Sequence, residues 1–380
     1  MKKSVLLMAA ATAIALSSCS SEDTKDVAKS SNITFRSTVG LNSRGTEATT
    51  DNLKNIWVSA WADNDVVFTK EQFAKKGAGT TFESVGGPWF WEKDKAYTFM
   101  AFATGKENMD GVTPTISKDN ITLTAYTPST NLAEQLDLLV AQGTGTKAAQ
   151  GTTGAKLEFD HILSQIQIKV KNTNANLKYV IKGVRITNVQ GTGTYTFKPG
   201  EAVNKHVWNN QTYTNQYVFT DGVEIKLNEQ NQNVTDLLVG DNSAMLLPQA
   251  IRAWDGNPVT QNGTDDYHQV NGAYISLLIN VQKKNGAGNW VQVYPKTDQV
   301  DETKCAWTAV AIPNGTWANG NKYIYTLDLS KGAGKVDPIE PGDNWTDGKD
   351  PGKGEDILGK QIFFTVDVKA WVDQAVNVPM

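Results

Sequence analysis

Apolar residues recur at every second position through most of this chain and hardly anywhere at helical spacing. That period belongs to a strand with one face turned toward a core. Ile33, Phe35, Ser37 and Val39 point one way, with Thr34, Arg36 and Thr38 opposite; Ile56, Val58 and Ala60 alternate with Trp57, Ser59 and Trp61. Further strands are predicted over 96–103, 121–126, 136–141, 163–170, 179–189, 194–197, 244–247, 273–281, 307–312 and 323–329. Many short strands with Gly, Asn and Thr turns, and no helices between them, predict an all-β protein built of antiparallel β-sandwiches. A Thr/Gly/Ala-rich stretch, "QGTGTKAAQGTTGA", separates two sets of strands, so two domains in tandem are expected, over 32–152 and 153–380. At 380 residues the chain exceeds the usual size of one domain, which favours the same division.

The two ends carry signals of another kind. Lys2 and Lys3 precede an apolar run from Val5 to Leu16, shorter than the about 20 residues that span a bilayer. The run ends Leu16-Ser17-Ser18-Cys19, which resembles a bacterial lipobox: small residues admit the lipoprotein signal peptidase, and the cysteine thiol takes a diacylglycerol. Residues 1–18 therefore read as a lipoprotein signal peptide, Cys19 as the lipidation site and 19–31 as a flexible tether. The acidic "SSEDTKD" after Cys19 resembles a tag that routes lipoproteins to the cell surface. Near the other end, 333–359 is rich in glycine with three prolines and reads as a flexible connector. It leads to a terminal strand over 361–372 in which Ile362, Phe364, Val366, Val368, Ala370 and Val372 share one apolar face. Arg44 is a lone cation in a Ser/Gly/Thr/Asn loop, where a protease has access. Arg36 is the rival cut site, but it lies inside a strand that must first unfold locally.

The sequence offers little to catalysis. Its net charge of -4 points to no nucleic acid or anionic membrane surface. Once Cys19 is lipidated only Cys305 remains, so no internal disulfide is expected. His161, His206 and His268 have no metal-ligand spacing, and neither a nucleophile elbow nor an H-E-x-x-H pair occurs. "GTGTKA" matches a dinucleotide fingerprint by letter, but no helix is expected after it, and it reads as linker. "DNWTDG" sets Asp343 and Asp347 at calcium-loop positions, yet Trp345 stands where a ligand belongs. No catalytic, cofactor or metal residue is assigned. The 11 tryptophans are conspicuous: Trp89 and Trp91 share one face and suit packing between sheets, while exposed rings of Trp89, Trp91 or Trp254 would stack on sugars.

Taken in order, the lipobox, "ITFRSTV" with its Arg-Gly loop, "IWVSAWA", "WFWEKDKAYTFMAFA", "QLDLLVA", "LEFDHILSQIQIKV", "MLLPQ", "WANGNKYIYTLDL" and "IFFTVDVKAWV" resemble the fimbrillin family of type V pilus lipoproteins, of the Mfa-like and major fimbrial subunit types. The resemblance implies two transthyretin-like β-sandwich domains in a surface-exposed lipoprotein, held in the outer membrane by lipid on Cys19. It implies activation by an arginine-specific protease at Arg44, which would release the first strand with Ile33, Phe35 and Val39. Its other implied partners are further fimbrial subunits, joined by strand exchange through the terminal strand, and an unidentified host or bacterial receptor. A lost strand leaves unpaired backbone groups and an apolar groove, which a neighbour's strand can refill. A shaft, tip or anchor subunit is thus expected, with no enzymatic activity. The rivals are a surface lipoprotein that binds glycans through exposed tryptophan without polymerising and, more distantly, a carbohydrate hydrolase.

Overall fold

In a computed structural model, residues 32–39, 48–220, 223–228, 235–238, 243–257, 272–358 and 362–370 are described. The N-terminal half supplies β1 (Phe35–Val39), β2 (Asn55–Ala62), β3 (Asp65–Lys75), β4 (Thr81–Ser84), β5 (Ala96–Ala103), β6 (Thr115–Ile116), β7 (Ile121–Tyr126), β8 (Leu139–Thr146) and β9 (Ala155–His161). Seven of these close on themselves in the order β1-β4-β3-β2-β5-β8-β9. The closing pair, β1 with β9, is parallel, so the expectation of purely antiparallel sheets is corrected here.

The central strands of this sheet are buried on both faces, and their alternation sorts side chains into two cores. Ile56, Val58, Ala60, Phe99, Ala101, Leu139 and Ala141 face inward, against Phe35, Phe73 and Phe82. Trp61, Met100, Phe102 and Val140 face outward, where Ile121 and Leu123 of β7, with Tyr195, Phe197, Met245 and Leu247 of the second unit, cover them.

That second unit comprises β10 (Ser164–Lys171), β11 (Leu177–Phe197), β12 (His206–Phe219), β13 (Ile225–Leu227), β14 (Thr235–Asp236), β15 (Ala244–Leu246), β16 (Gln249–Ile251), β17 (Tyr274–Lys284), β18 (Trp290–Tyr294), β19 (Ala306–Ala311), β20 (Gly315–Trp317), β21 (Asn321–Asp328), β22 (Lys335–Val336) and β23 (Phe363–Ala370). A nine-stranded sheet runs β22-β19-β17-β11-β7-β6, with β12, β13 and β18 attached; a five-stranded sheet runs β14-β10-β21-β23, with β15 beside β10. The β10–β21 pair is a second parallel one. Ile166, Ile168, Tyr179, Ile181, Leu277, Ile279, Tyr325 and Leu327 belong to the core these sheets share.

Two loop readings are revised. The connector expected to be free over 333–359 is packed as far as it is described. Ala333, Val336 and Asp337 are buried, and β22 pairs with β19. A buried ion pair holds it: Arg185 Nη2 lies 2.7 Å from Asp337 Oδ2 and donates to the Glu340 carbonyl at 3.0 Å. The Arg185 guanidinium also lies 4.0 Å over the Trp307 ring. The "GTGT" read as linker is the end of β8, followed by a one-turn helix, α1 (Lys147–Gln150), capped by Thr146. Glycine is required there because a Cβ on Gly143 would meet the Lys156 carbonyl oxygen at 2.7 Å, and one on Gly145 the Trp91 ring at 2.9 Å. The compositional break at 152 falls short of the change of sheet: β9 stays with the closed sheet, while β7 has already crossed to β11.

Candidate assembly site

Alternation in "ITFRSTV" makes β1 a strand with one buried face. Ile33, Phe35 and Val39 are buried, and Arg36 and Thr38 are exposed. Phe35 reaches the centre of the inner core, edge-on to Phe73 and Phe99 at centroid distances of 4.8 and 4.9 Å. The strand's two neighbours hold it unequally. With β9 it pairs along its whole length, Phe35 opposite Ala155 through Val39 opposite Phe159. With β4 it pairs only at Phe35↔Phe82 and Arg36↔Thr81. Before β1, Asn32 bridges Phe90, and the Ile33 N–H donates to the Trp89 carbonyl at 2.7 Å.

Beyond β1 the chain passes through 40–47, outside the described residues, and Arg44 lies there. Both ends of that stretch are pinned. The Val39 N–H donates to Thr50 Oγ1 at 2.9 Å, and that hydroxyl returns a bond to the Val39 carbonyl. Ala48 is buried, and its N–H donates to Asp137 Oδ2 at 2.7 Å. Asp137 Oδ1 lies 2.9 Å from His161 Nδ1, so this histidine has a structural partner in place of a metal.

The terminal strand β23 is an edge strand, antiparallel to β21 from Asn321↔Ala370 to Asp328↔Phe363. Its expected apolar face is not evenly covered. Ile362 is buried and Val366 half-buried, but Val368 is 57% exposed. Cys19 and Val372 lie outside the described residues, and for Phe364 and Ala370 only the backbone is described.

The glycan reading loses its platform. Trp91 and Trp254 are buried and Trp89 is half-buried on the inner core, with Trp91 edge-on to Tyr97 and Trp89 tilted on Phe68. The Trp254 indole N–H is spent on the Asn257 carbonyl. Among the described residues no group of three or more His, Cys, Asp or Glu could hold a metal. Burial pushes the Cys305 thiol up to about 11, far from a reactive thiolate. No helix among the described residues is long and apolar enough to cross a membrane.

Sequence reasoning found β1 but missed both of its walls. β4 is four residues long and lies between glycine-containing stretches; β9 alternates well, but nothing local announces a parallel partner 120 positions earlier in the chain. The lone aromatics Phe73 and Phe82 in polar surroundings were the available signal.

The comparisons agree with this architecture. The fimbrium subunit Fim1C of Phocaeicola vulgatus is 24% identical over 391 residues, covering 91% of this chain and 97% of that protein. A fimbrial protein from Bacteroides vulgatus, known from a crystal structure, shares the fold with a TM-score of 0.54 at 14% identity, over 90% of this chain and 100% of its own. The family model described as fimbrillin-like matches residues 43–341, most of the sequence, and the chain accordingly belongs to the fimbrillin-like family.

Proposed function

We propose that this protein is a structural subunit of a cell-surface fimbria that supports adhesion and assembles by protease-triggered strand exchange. It is made as a lipoprotein, anchored in the outer membrane through Cys19 and built of two transthyretin-like domains. Cleavage after Arg44 frees residues up to that point, lipid included, and β1 leaves with them. The vacated slot lies between β4 and β9, and the terminal strand of another copy or of a related subunit fills it. Donor and acceptor surfaces differ, so the contact is heterologous and propagates into an open filament.

One observation carries the reading: a five-residue strand closes an otherwise continuous sheet, paired with β9 along one side and held on the other by two residues of β4 and by bonds to the Trp89 and Thr80 carbonyls and the Thr50 hydroxyl. Taking it away exposes a backbone edge on β9 and the aromatic cavity around Phe73 and Phe99. The names of its relatives, a fimbrium subunit and a fimbrial protein, point the same way.

The test is limited proteolysis with an arginine-specific protease followed by gel filtration. The folded chain should be cut first after Arg44, while Arg185, buried in its ion pair, resists. Cut protein should then form oligomers, and Arg44→Ala should stay full-length and monomeric. Cut protein that remains monomeric with β23 still on β21 would overturn strand exchange by this route.

A further inference from the structure

The strand that fills the slot and the strand proposed to replace it share most of their inward-facing residues. Ser37 faces the core between Phe35 and Val39 at 1% exposure, and its Oγ has no hydrogen-bond partner among the described residues. A buried hydroxyl without a partner is a cost that the folded chain carries. Ile33-Thr34-Phe35-Arg36-Ser37-Thr38-Val39 and Ile362-Phe363-Phe364-Thr365-Val366-Asp367-Val368 agree at three of their four inward positions. The fourth is Ser37 in the resident strand and Val366 in the terminal one. Arg36 and Thr38, at outward positions, are exposed in the slot; Thr365 and Asp367, their counterparts, are exposed on β23 at home. Val368 is 57% exposed at home, whereas its counterpart Val39 is fully buried.

We infer that residues 362–368 of a second copy occupy the places of 33–39 in the same direction and in this register, and that exchanging the Ser37 hydroxyl for the Val366 side chain favours the incoming strand. The inference rests on the strand-exchange reading above. Other placements fail sterically or chemically. Reversed, the strand would put Phe364 where Ser37 fits and Val366 where Phe35 fits, overfilling one position and leaving a void at the other. A slip of one residue turns Thr365 and Asp367 inward. A slip of two moves Phe364 to the position of Ser37 or of Ile33 and leaves an aliphatic side chain in the place of Phe35.

Disulfide trapping in the full chain, cut after Arg44, reads the register directly. Arg36 lies opposite Lys156 across the β1–β9 pair, so Thr365 of the incoming strand should take that place. Thr365→Cys combined with Lys156→Cys should give a ladder of covalent oligomers on a non-reducing gel, and Asp367→Cys with Lys156→Cys should not. Thr365 is the centre of 362–368 and takes the same place in either direction, so the direction is read by Asp367→Cys with Glu158→Cys, the residue opposite Thr38: a ladder is expected, and its absence beside a ladder from the first pair overturns the direction. A ladder from the second pair and none from the first overturns the register while leaving exchange intact. Oligomers in which Lys156→Cys traps no cysteine placed along 363–370 refute exchange itself. A second arm measures the driving force and does not need assembly. A synthetic peptide of residues 362–370, added to the cut wild-type chain, should displace the first strand about tenfold more readily than its Val366→Ser counterpart, equivalent to about 1.4 kcal/mol. Ser37→Val in the protein should make displacement by either peptide harder by about the same factor of ten, leaving the ratio between the two peptides unchanged. Equal displacement by the two peptides overturns the role given to Ser37.

Discussion

Phe35→Ala in the uncut chain tests how far the inner core depends on the first strand. Phe35 is fully buried and makes edge contacts with Phe73 and Phe99. Truncating a phenylalanine in such a setting costs about 3–5 kcal/mol, from lost transfer free energy and from the cavity left behind. The void would border β3 and β5, whose rings are held by their own strands and cannot collapse freely into it. Because β1 has a continuous strand partner on one side only and is held on the other by two residues of β4 and by loop groups, the loss should fall on detachment of β1 more than on global unfolding. Each 1.4 kcal/mol is a factor of ten, so the opening equilibrium of β1 should rise about a hundredfold to a few thousandfold. Native-state hydrogen exchange resolves this. Amides joining β1 to β9 should exchange faster by that factor, while amides between β2 and β5 should change little. Uniform acceleration across the sheet, or none at the β1–β9 amides, refutes the view that the strand is separable.

Four further outcomes are expected. Arg185→Leu leaves the Asp337 carboxylate buried without its cation, so it should lower stability by about 3–5 kcal/mol in urea unfolding and expose 333–358 to proteases; the double change with Asp337→Leu should recover much of the loss. Gly143→Ala forces a methyl group to within 2.7 Å of the Lys156 carbonyl oxygen and should destabilise by about 1–3 kcal/mol, with an accompanying rise in β1 exchange through β9. At Asp160 burial opposes ionisation, but hydrogen bonds from His206 and Lys205 outweigh it and hold the carboxyl below its usual range; that stabilisation is present above the unfolded-state value and vanishes as pH falls through the lower folded one. Asp160→Asn should therefore weaken the protein at pH 7 and approach wild type as the pH falls through the lowered folded-state value. Cys19→Ala should abolish incorporation of a labelled fatty acid, and label retained on that variant removes the lipidation assignment.

What the sequence made legible follows from where the information sits. β5 and β7 stand at the residues that alternation predicts, since their side chains are sorted by burial on at least one face. β11 reads as two strands because Gly191 and Gly193 interrupt the pattern, yet it is continuous through register shifts near Gln190 and Thr192. β12, "HVWNNQTYTNQYVF", gives little signal: its Asn, Gln and Thr residues satisfy a strand's backbone without marking a buried face. The free connector was inferred from glycine and proline content, which reports turn capability and says nothing of a buried arginine 152 positions away. For the assembly site, the buried face of β1 and the alternation of the terminal strand were legible. The parallel wall β9, the Ser37 hydroxyl without a partner among the described residues and the exposure of Val368 arise from tertiary contacts.

A strand can be exchanged only if the fold outlasts its absence, and the two cores indicate how this one would. Ile33, Phe35 and Val39 enter the inner core alone; among the described residues none of them touches the outer one. The strands that remain, β4-β3-β2-β5-β8-β9, are still contiguous in hydrogen-bonding order. Three of them, β2, β5 and β8, place Trp61, Met100, Phe102 and Val140 in the junction core, where Ile121, Tyr195, Phe197 and Leu247 hold them. The second unit thus braces the sheet from the side away from the slot. Loss of β1 opens a groove lined by Phe73, Phe82, Phe99 and Leu157 in a sheet whose opposite face is already packed. Such a groove is too apolar to stay wet and too well supported to collapse, and an incoming strand relieves it at little reorganisation cost. Phe102→Ala, at the junction and away from the slot, should leave the uncut monomer folded but make the cut protein lose its β2–β5 protection and aggregate without order. Ordered oligomers from that variant would show that the junction core does not brace the open sheet.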